Sequence, residues 1–82
     1  MKLEETGLTF EDIKEKVNKY MIETYERMDF LAESAKDQYI YNEKGEKYLD
    51  FYAGIAVNSA GSCNEKVVKA VVDQAQTLMH TF

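Results

Sequence analysis

The run "GSCNEKVVKAVVDQAQTLMHTF", Gly61 to Phe82, constrains this chain more than any other stretch. Val67, Val68, Val71, Val72, Ala75, Leu78 and Met79 recur at helical spacing and predict a helix over 64–80. Ser62, three residues before Glu65, has the spacing of a capping box. Two adjacent valine pairs make the apolar arc wide, and one further amphipathic helix with a hairpin can hardly cover it. Leaving three such side chains in water forfeits about 5–8 kcal/mol, at about 1.5–3 kcal/mol each. That loss is comparable to the whole stability of a small domain. No Gly, Asn or Pro follows the periodic residues as a stop signal. The chain therefore reads as a piece of something larger, which by itself self-associates or stays partly disordered.

Composition narrows the function classes. With 82 residues the chain suits one small domain with a thin core. Its one cysteine, Cys63, closes no internal bridge, and Cys63 with the single His80 is too little for a structural zinc site. The net charge of -5 is spread over interspersed acids and bases, so nucleic-acid binding has little support. "MKLEETGLTF" lacks the apolar centre of a signal peptide, and "YAGIAV" is far too short to span a bilayer. A cytoplasmic location is expected. A hydrophobic content of 45% is too high for a disordered tail.

The remaining segments predict an α+β arrangement: leader and helix over 1–24, irregular connector over 25–37, short antiparallel β-meander over 38–60, then the final helix. Residues 1–8 look like a loose leader. Phe10, Ile13, Val17, Tyr20 and Met21 give the first helix its apolar face, with Thr9 as N-cap three residues before Asp12. Asp12–Lys16 and Glu15–Lys19 are i,i+4 pairs on the opposite face. "QYIYNEKGEKYLDFYAG" spells a hairpin in which Gly45 supplies the positive φ of a tight turn, and "IAVNS" is expected to add a third strand.

Chemistry within these residues is sparse. Cys63 and His80 lie at opposite ends of the final helix, roughly 25 Å apart at about 1.5 Å rise per residue, too far for a nucleophile–base pair. The Gly-Ser turn in "AGSCNE" could present helix N–H groups to an anion, but plain capping is the simpler reading. Tyr25 is the tyrosine that stands out, placed in the connector where a side chain can face a cavity. The lysines fall on charged helix faces, a turn or loops, and none has the apolar surroundings that depress an amine's pKa.

Taken in order, "ETYER", "YIYNEKGEKYLDFYAGIAVNSAG", the valine pair Val67–Val68 and the closing His80–Thr81 resemble the N-terminal stretch of the class III pyridoxal-phosphate aminotransferases. The resemblance covers residues 20–82. It departs at Ser62, Cys63, Asn64 and Glu65, where the family usually has His-x-His-Pro. The resemblance implies part of a fold type I transferase that uses pyridoxal 5'-phosphate. In such an enzyme the lysine joined to the cofactor, the Asp on its pyridinium nitrogen and the phosphate cup lie far downstream. This piece alone is therefore expected to be inert, with no catalytic, cofactor-binding or metal-binding residue of its own.

As a member of that family, the parent protein would transfer an amino group from an acetylornithine-like or other ω-amino donor to a 2-oxo acid by a ping-pong cycle. The partners implied are the rest of the enzyme chain and a second identical subunit. Ile55 would belong to the pocket wall, Tyr25 would face the substrate, and the small residues of "GIAV" would leave room for both ligand and neighbouring chain. Two other readings stay open: a stand-alone acidic protein-interaction module with the valine face as its docking surface, and a non-catalytic homologue.

Overall fold

The computed structural model describes the whole chain, Met1–Phe82. The elements run α1 (Leu3–Thr6), α2 (Phe10–Tyr20), β1 (Ala32–Lys36), β2 (Tyr39–Asn42), β3 (Lys47–Leu49), α3 (Ala53–Ala56) and α4 (Glu65–Thr77). The strands form one antiparallel sheet in the order β1-β2-β3. The α+β class and the three-stranded antiparallel sheet are as expected from the sequence.

Asn42 builds the β2–β3 hairpin. Its Oδ1 accepts from the backbone N–H of Lys44 at 3.1 Å and of Glu46 at 2.8 Å, while its Nδ2 donates to Glu46 Oε1 at 2.9 Å. The Gly45 N–H reaches the Asn42 carbonyl at 3.0 Å, and the φ of 79° at Gly45 is the left-handed value expected there. Asn42 is the chain's one buried residue, 8% exposed, and its internal hydrogen bonds replace the water it loses.

The third strand is not the expected one. It is β1, lying in the segment 25–37 that the sequence assigns to an irregular connector, and the sheet ends at Leu49 rather than running on toward 60. "AESAK" carries no apolar alternation, so its strand character comes from pairing: Ala35 opposes Ile40 and Lys36 opposes Tyr39, with an irregularity in register between Ala32 and Ser34. "IAVNS" forms no strand, because Ile55 and Ala56 turn left-handed as the end of α3. The leader is also more ordered than expected. It contains α1, and the Leu3 N–H donates to Glu33 Oε2 at 2.9 Å, fastening the chain start to β1.

The helix starts follow local chemistry. At α2 the Thr9 hydroxyl accepts from the Asp12 N–H at 3.1 Å and Asp12 Oδ2 accepts from the Thr9 N–H at 2.8 Å, a reciprocal capping box. The ion pairs of α2 fall on Lys14, with Glu11 at 2.8 Å and Asp29 at 2.9 Å, rather than on the expected Asp12–Lys16 and Glu15–Lys19. At α4 the cap is Asn64, whose Oδ1 accepts from the N–H groups of Lys66 and Val67, and not Ser62. The helix ends at Thr77 instead of 80, as Leu78 turns extended and its N–H closes the last turn on the Gln74 carbonyl.

No hydrophobic side chain is fully buried, and Val67, Val68, Val71 and Val72 of α4 all stand exposed. No helix is long and apolar enough to cross a membrane.

Candidate functional site

The loop from Phe51 to Gly61 is held at both ends by neighbouring residues of the β1–β2 corner. On one side the Asp50 N–H donates to the Gln38 carbonyl at 2.8 Å. On the other, Asp37 and Ser62 exchange backbone hydrogen bonds, each 2.8 Å long. Gly61 has a φ of 79°, and a Cβ there would come within 3.1 Å of the Asp37 backbone, so any side chain would meet both a strained φ and a tight contact. Lys36 Nζ adds a bond to the Cys63 carbonyl at 3.0 Å. A loop whose ends are fixed this closely behaves as one compact unit on the rim of the sheet.

Within that loop, α3 is a left-handed turn. Four consecutive residues have positive φ: 53° at Ala53, 60° at Gly54, 64° at Ile55 and 60° at Ala56. Its bonds run from Ala56 N–H to the Tyr52 carbonyl and from the N–H groups of Val57 and Asn58 to the Ala53 carbonyl. Left-handed geometry costs an L-residue about 1–2 kcal/mol, and a β-branched residue such as Ile55 rarely adopts it. The small residues around Ile55 limit the steric part of that cost. Two further bonds support the turn from below, since Asp50 Oδ1 accepts from the N–H groups of Tyr52 and Ala53 at 2.9 Å each.

The turn carries Ile55 outward, 74% exposed. Tyr25, the other substrate residue read from the sequence, lies in the segment between α2 and β1 and is 64% exposed, with the Arg27 guanidinium 4.8 Å from its ring centre. The two sit on separate elements. Neither lines the groove between α2 and its following segment, nor the cleft between the sheet and α3 formed by Ala35, Ile40, Asp50 and Gly54. Asp50 was not singled out in the sequence. The available signal is an Asp two and three residues ahead of backbone N–H groups that no strand or ordinary helix will use.

Several other sequence candidates resolve as structure. Cys63 and His80 flank opposite ends of α4. The N–H groups of Lys66 and Val67 at the start of α4 are taken by Asn64, which is the capping reading. The lysines stand at the surface, and Lys14 lies half-exposed between Glu11 and Asp29. Hydrogen bonds to Glu11 first and Asp29 second push the Lys14 pKa up, opposite to what a nucleophilic amine needs. The lysines of this segment therefore do not fit the covalent anchor of a pyridoxal cofactor.

A family profile described as Aminotransferase class-III matches residues 20–82. The chain belongs to the class III aminotransferases. The acetylornithine aminotransferase of Methanocaldococcus jannaschii is 46% identical over 63 residues, covering 77% of this chain and 16% of that enzyme. Among solved structures, the ornithine aminotransferase of Toxoplasma gondii ME49 aligns with a TM-score of 0.78 at 28% identity, over 90% of this chain and 17% of its own. The same organism's enzyme, crystallized in the presence of oxidized glutathione, aligns with a TM-score of 0.81 at 28% identity, over 95% of this chain and 19% of that one. That structure has partial occupancy of PLP at its active site. This class III segment thus spans less than a fifth of the length of these relatives.

At the start of α4 this aminotransferase segment has Asn64 as N-cap and Glu65 as the first helical residue. Asn64 satisfies two N–H groups of the first turn with its side chain, and Glu65 places negative charge at the positive end of the helix dipole.

Proposed function

We propose that this chain is the N-terminal segment of a pyridoxal-phosphate-dependent aminotransferase that moves an amino group from an acetylornithine-like ω-amino donor to a 2-oxo acid. The observation that carries the reading is the 46% identity to an acetylornithine aminotransferase within a class III match running over residues 20–82. Pyridoxal 5'-phosphate supplies the electron sink for such chemistry. Its covalent anchor belongs to the rest of the enzyme, and so does catalysis; the segment by itself is inert. What this segment contributes is shape. Ile55, raised on the left-handed turn, forms part of the donor pocket wall, and Tyr25 faces the substrate from the connector. The apolar face of α4 packs on the remainder of the enzyme and on a second identical subunit, in a cytoplasmic homodimer. The domain division proposed takes residues 1–82 as one N-terminal segment, with the catalytic large domain supplied by the rest of the enzyme.

The physical argument for a segment rather than a stand-alone interaction module is the missing core. A chain of 82 residues whose apolar side chains all keep contact with water has little to offset its loss of conformational entropy. The test is a chimera in which residues 1–82 replace the M. jannaschii enzyme from its N-terminus to the end of the matching part. Transfer from N-acetylornithine to a 2-oxo acid supports the reading. A folded, cofactor-loaded chimera without transfer would overturn it in favour of a non-catalytic homologue. Efficient transfer from ornithine or 4-aminobutyrate alone would overturn the donor.

A further inference from the structure

We propose that Asp50 is a positioning residue for the amino-donor pocket, holding the left-handed turn so that Ile55 projects to a fixed depth. The inference rests on the reading of Ile55 as pocket wall and adds the device that sets its place.

Three observations converge on Asp50. Its N–H is bonded to the Gln38 carbonyl at 2.8 Å, which ties its backbone, one residue past β3, to the turn between β1 and β2. Its Oδ1 takes two hydrogen bonds, from Tyr52 and Ala53, at 2.9 Å each. These are the N–H groups immediately before and at the start of the left-handed run, and the bonds inside α3 begin only at the Ala56 N–H. One carboxylate therefore couples the rigid sheet to the strained turn. The opposite end of the loop is fixed by the Asp37–Ser62 exchange and by the close approach at Gly61, both outside α3.

The internal bonds of α3 close the turn on itself but do not orient it against the sheet. Ser59 Oγ, 3.5 Å from the Ala56 carbonyl, is too distant to substitute. A run of positive φ through Ala53, Ile55 and Ala56 is unfavourable for L-residues and relaxes toward negative φ when unsupported. A carboxylate acceptor is stronger than a neutral one, which suits a position opposing strain. Relaxation of the turn would move Ile55, which on this reading meets the donor and takes no part in the chemical step. Asp50 would thus act on donor binding rather than on the chemical step.

The test uses the holoenzyme chimera with three substitutions. Asp50→Ala is expected to raise the KM for the amino donor about tenfold with kcat within about twofold, the pattern of lost ground-state positioning. Asp50→Asn keeps an acceptor oxygen without the charge and is expected to raise KM only about two- to threefold. Ile55→Trp is the control for the underlying reading. If Ile55→Trp leaves KM unchanged, the pocket-wall reading falls and this inference with it. If Ile55→Trp raises KM while Asp50→Ala lowers only the melting temperature, Asp50 is merely structural and this inference alone is overturned. Should Asp50→Ala fail to fold, Asp50→Asn decides: a raised donor KM supports the proposal and an unchanged one refutes it.

Discussion

The helices α2 and α4 are both amphipathic and of similar length, yet they meet opposite fates. The apolar face of α2 turns toward the segment that follows it, where Phe10, Ile13 and Val17 share a groove with Met28, Phe30 and Leu31 and become half-buried. Lys14 fastens the arrangement by pairing with Asp29. The apolar face of α4 gains no comparable cover from this chain, and its valines remain exposed. One helix brings its own cover within reach of a short connection. The other has no such cover in this chain, and a wide apolar arc without a nearby apolar partner in sequence is the mark of that difference.

The largest expected effect comes from placing a charge on each face. At a dilution where the 82-residue chain is monomeric, Val71→Asp should shift its stability by no more than about 0.5 kcal/mol, because the site is then in water. In the chimera the same change should cost about 3–5 kcal/mol, as an unpaired charge is buried. Val17→Asp should instead cost the isolated chain about 1–3 kcal/mol, and the chimera a similar amount, because its cover belongs to the segment itself. Urea denaturation of the four proteins checks this. Equal effects of the two substitutions on the isolated chain would break the comparison.

A smaller effect separates the two attachments. The start of α4 is fixed to the sheet through backbone bonds that depend on Gly61, whereas α2 relies on an exposed ion pair. Gly61→Ala meets both a positive φ and a backbone contact at 3.1 Å, and should cost about 1–2 kcal/mol. Lys14→Met should cost under about 1 kcal/mol, since surface ion pairs contribute little. Thermal melts of the two variants in the chimera rank them.

The smallest effect is a difference in pH response. The Thr9 N–H and then the Thr9 hydroxyl hold the Asp12 carboxyl below the usual aspartate range. A depressed carboxylate pKa adds stability that is complete above the ordinary aspartate value and is lost as pH falls through the lower folded value. The cap of α4 is the amide of Asn64, which does not titrate in that range. Acidification below the ordinary aspartate range should therefore loosen the first turn of α2 and spare that of α4. Amide chemical shifts of Thr9 and of Lys66 across that range would show it, and matched shifts at both would argue against these caps.

What was legible in the sequence follows the reach of each interaction. The Thr9–Asp12 cap, the Gly45 turn and the α4 stripe from Val67 to Ala75 depend on residues within a few positions of one another, and all three are where the sequence puts them, while Leu78 and Met79 fall beyond the helix end. Strand β1 was hidden because Ala32–Lys36 has no apolar alternation; only pairing with β2 makes it a strand. The left-handed turn was hidden for the opposite reason. Ile55 and Val57 look like strand residues, while the groups that decide their conformation are the Asp50 carboxylate and the small neighbours Ala53, Gly54 and Ala56. Ser62 has capping-box spacing, yet its backbone is engaged by Asp37 and the cap passes to Asn64. For the candidate site, the sequence and the family resemblance point to Ile55 and Tyr25 but not to the support beneath the turn.

The central claim, that α4 presents a face meant for another surface, is tested most directly by sedimentation of the purified 82-residue chain across the micromolar range. Exposed apolar side chains worth about 1.5–3 kcal/mol each should drive the chains together. The expected result is concentration-dependent self-association that Val71→Asp abolishes. A monomer at every concentration, melting cooperatively, would contradict the account, because the segment would then be a domain stable without the surface that α4 is argued to need.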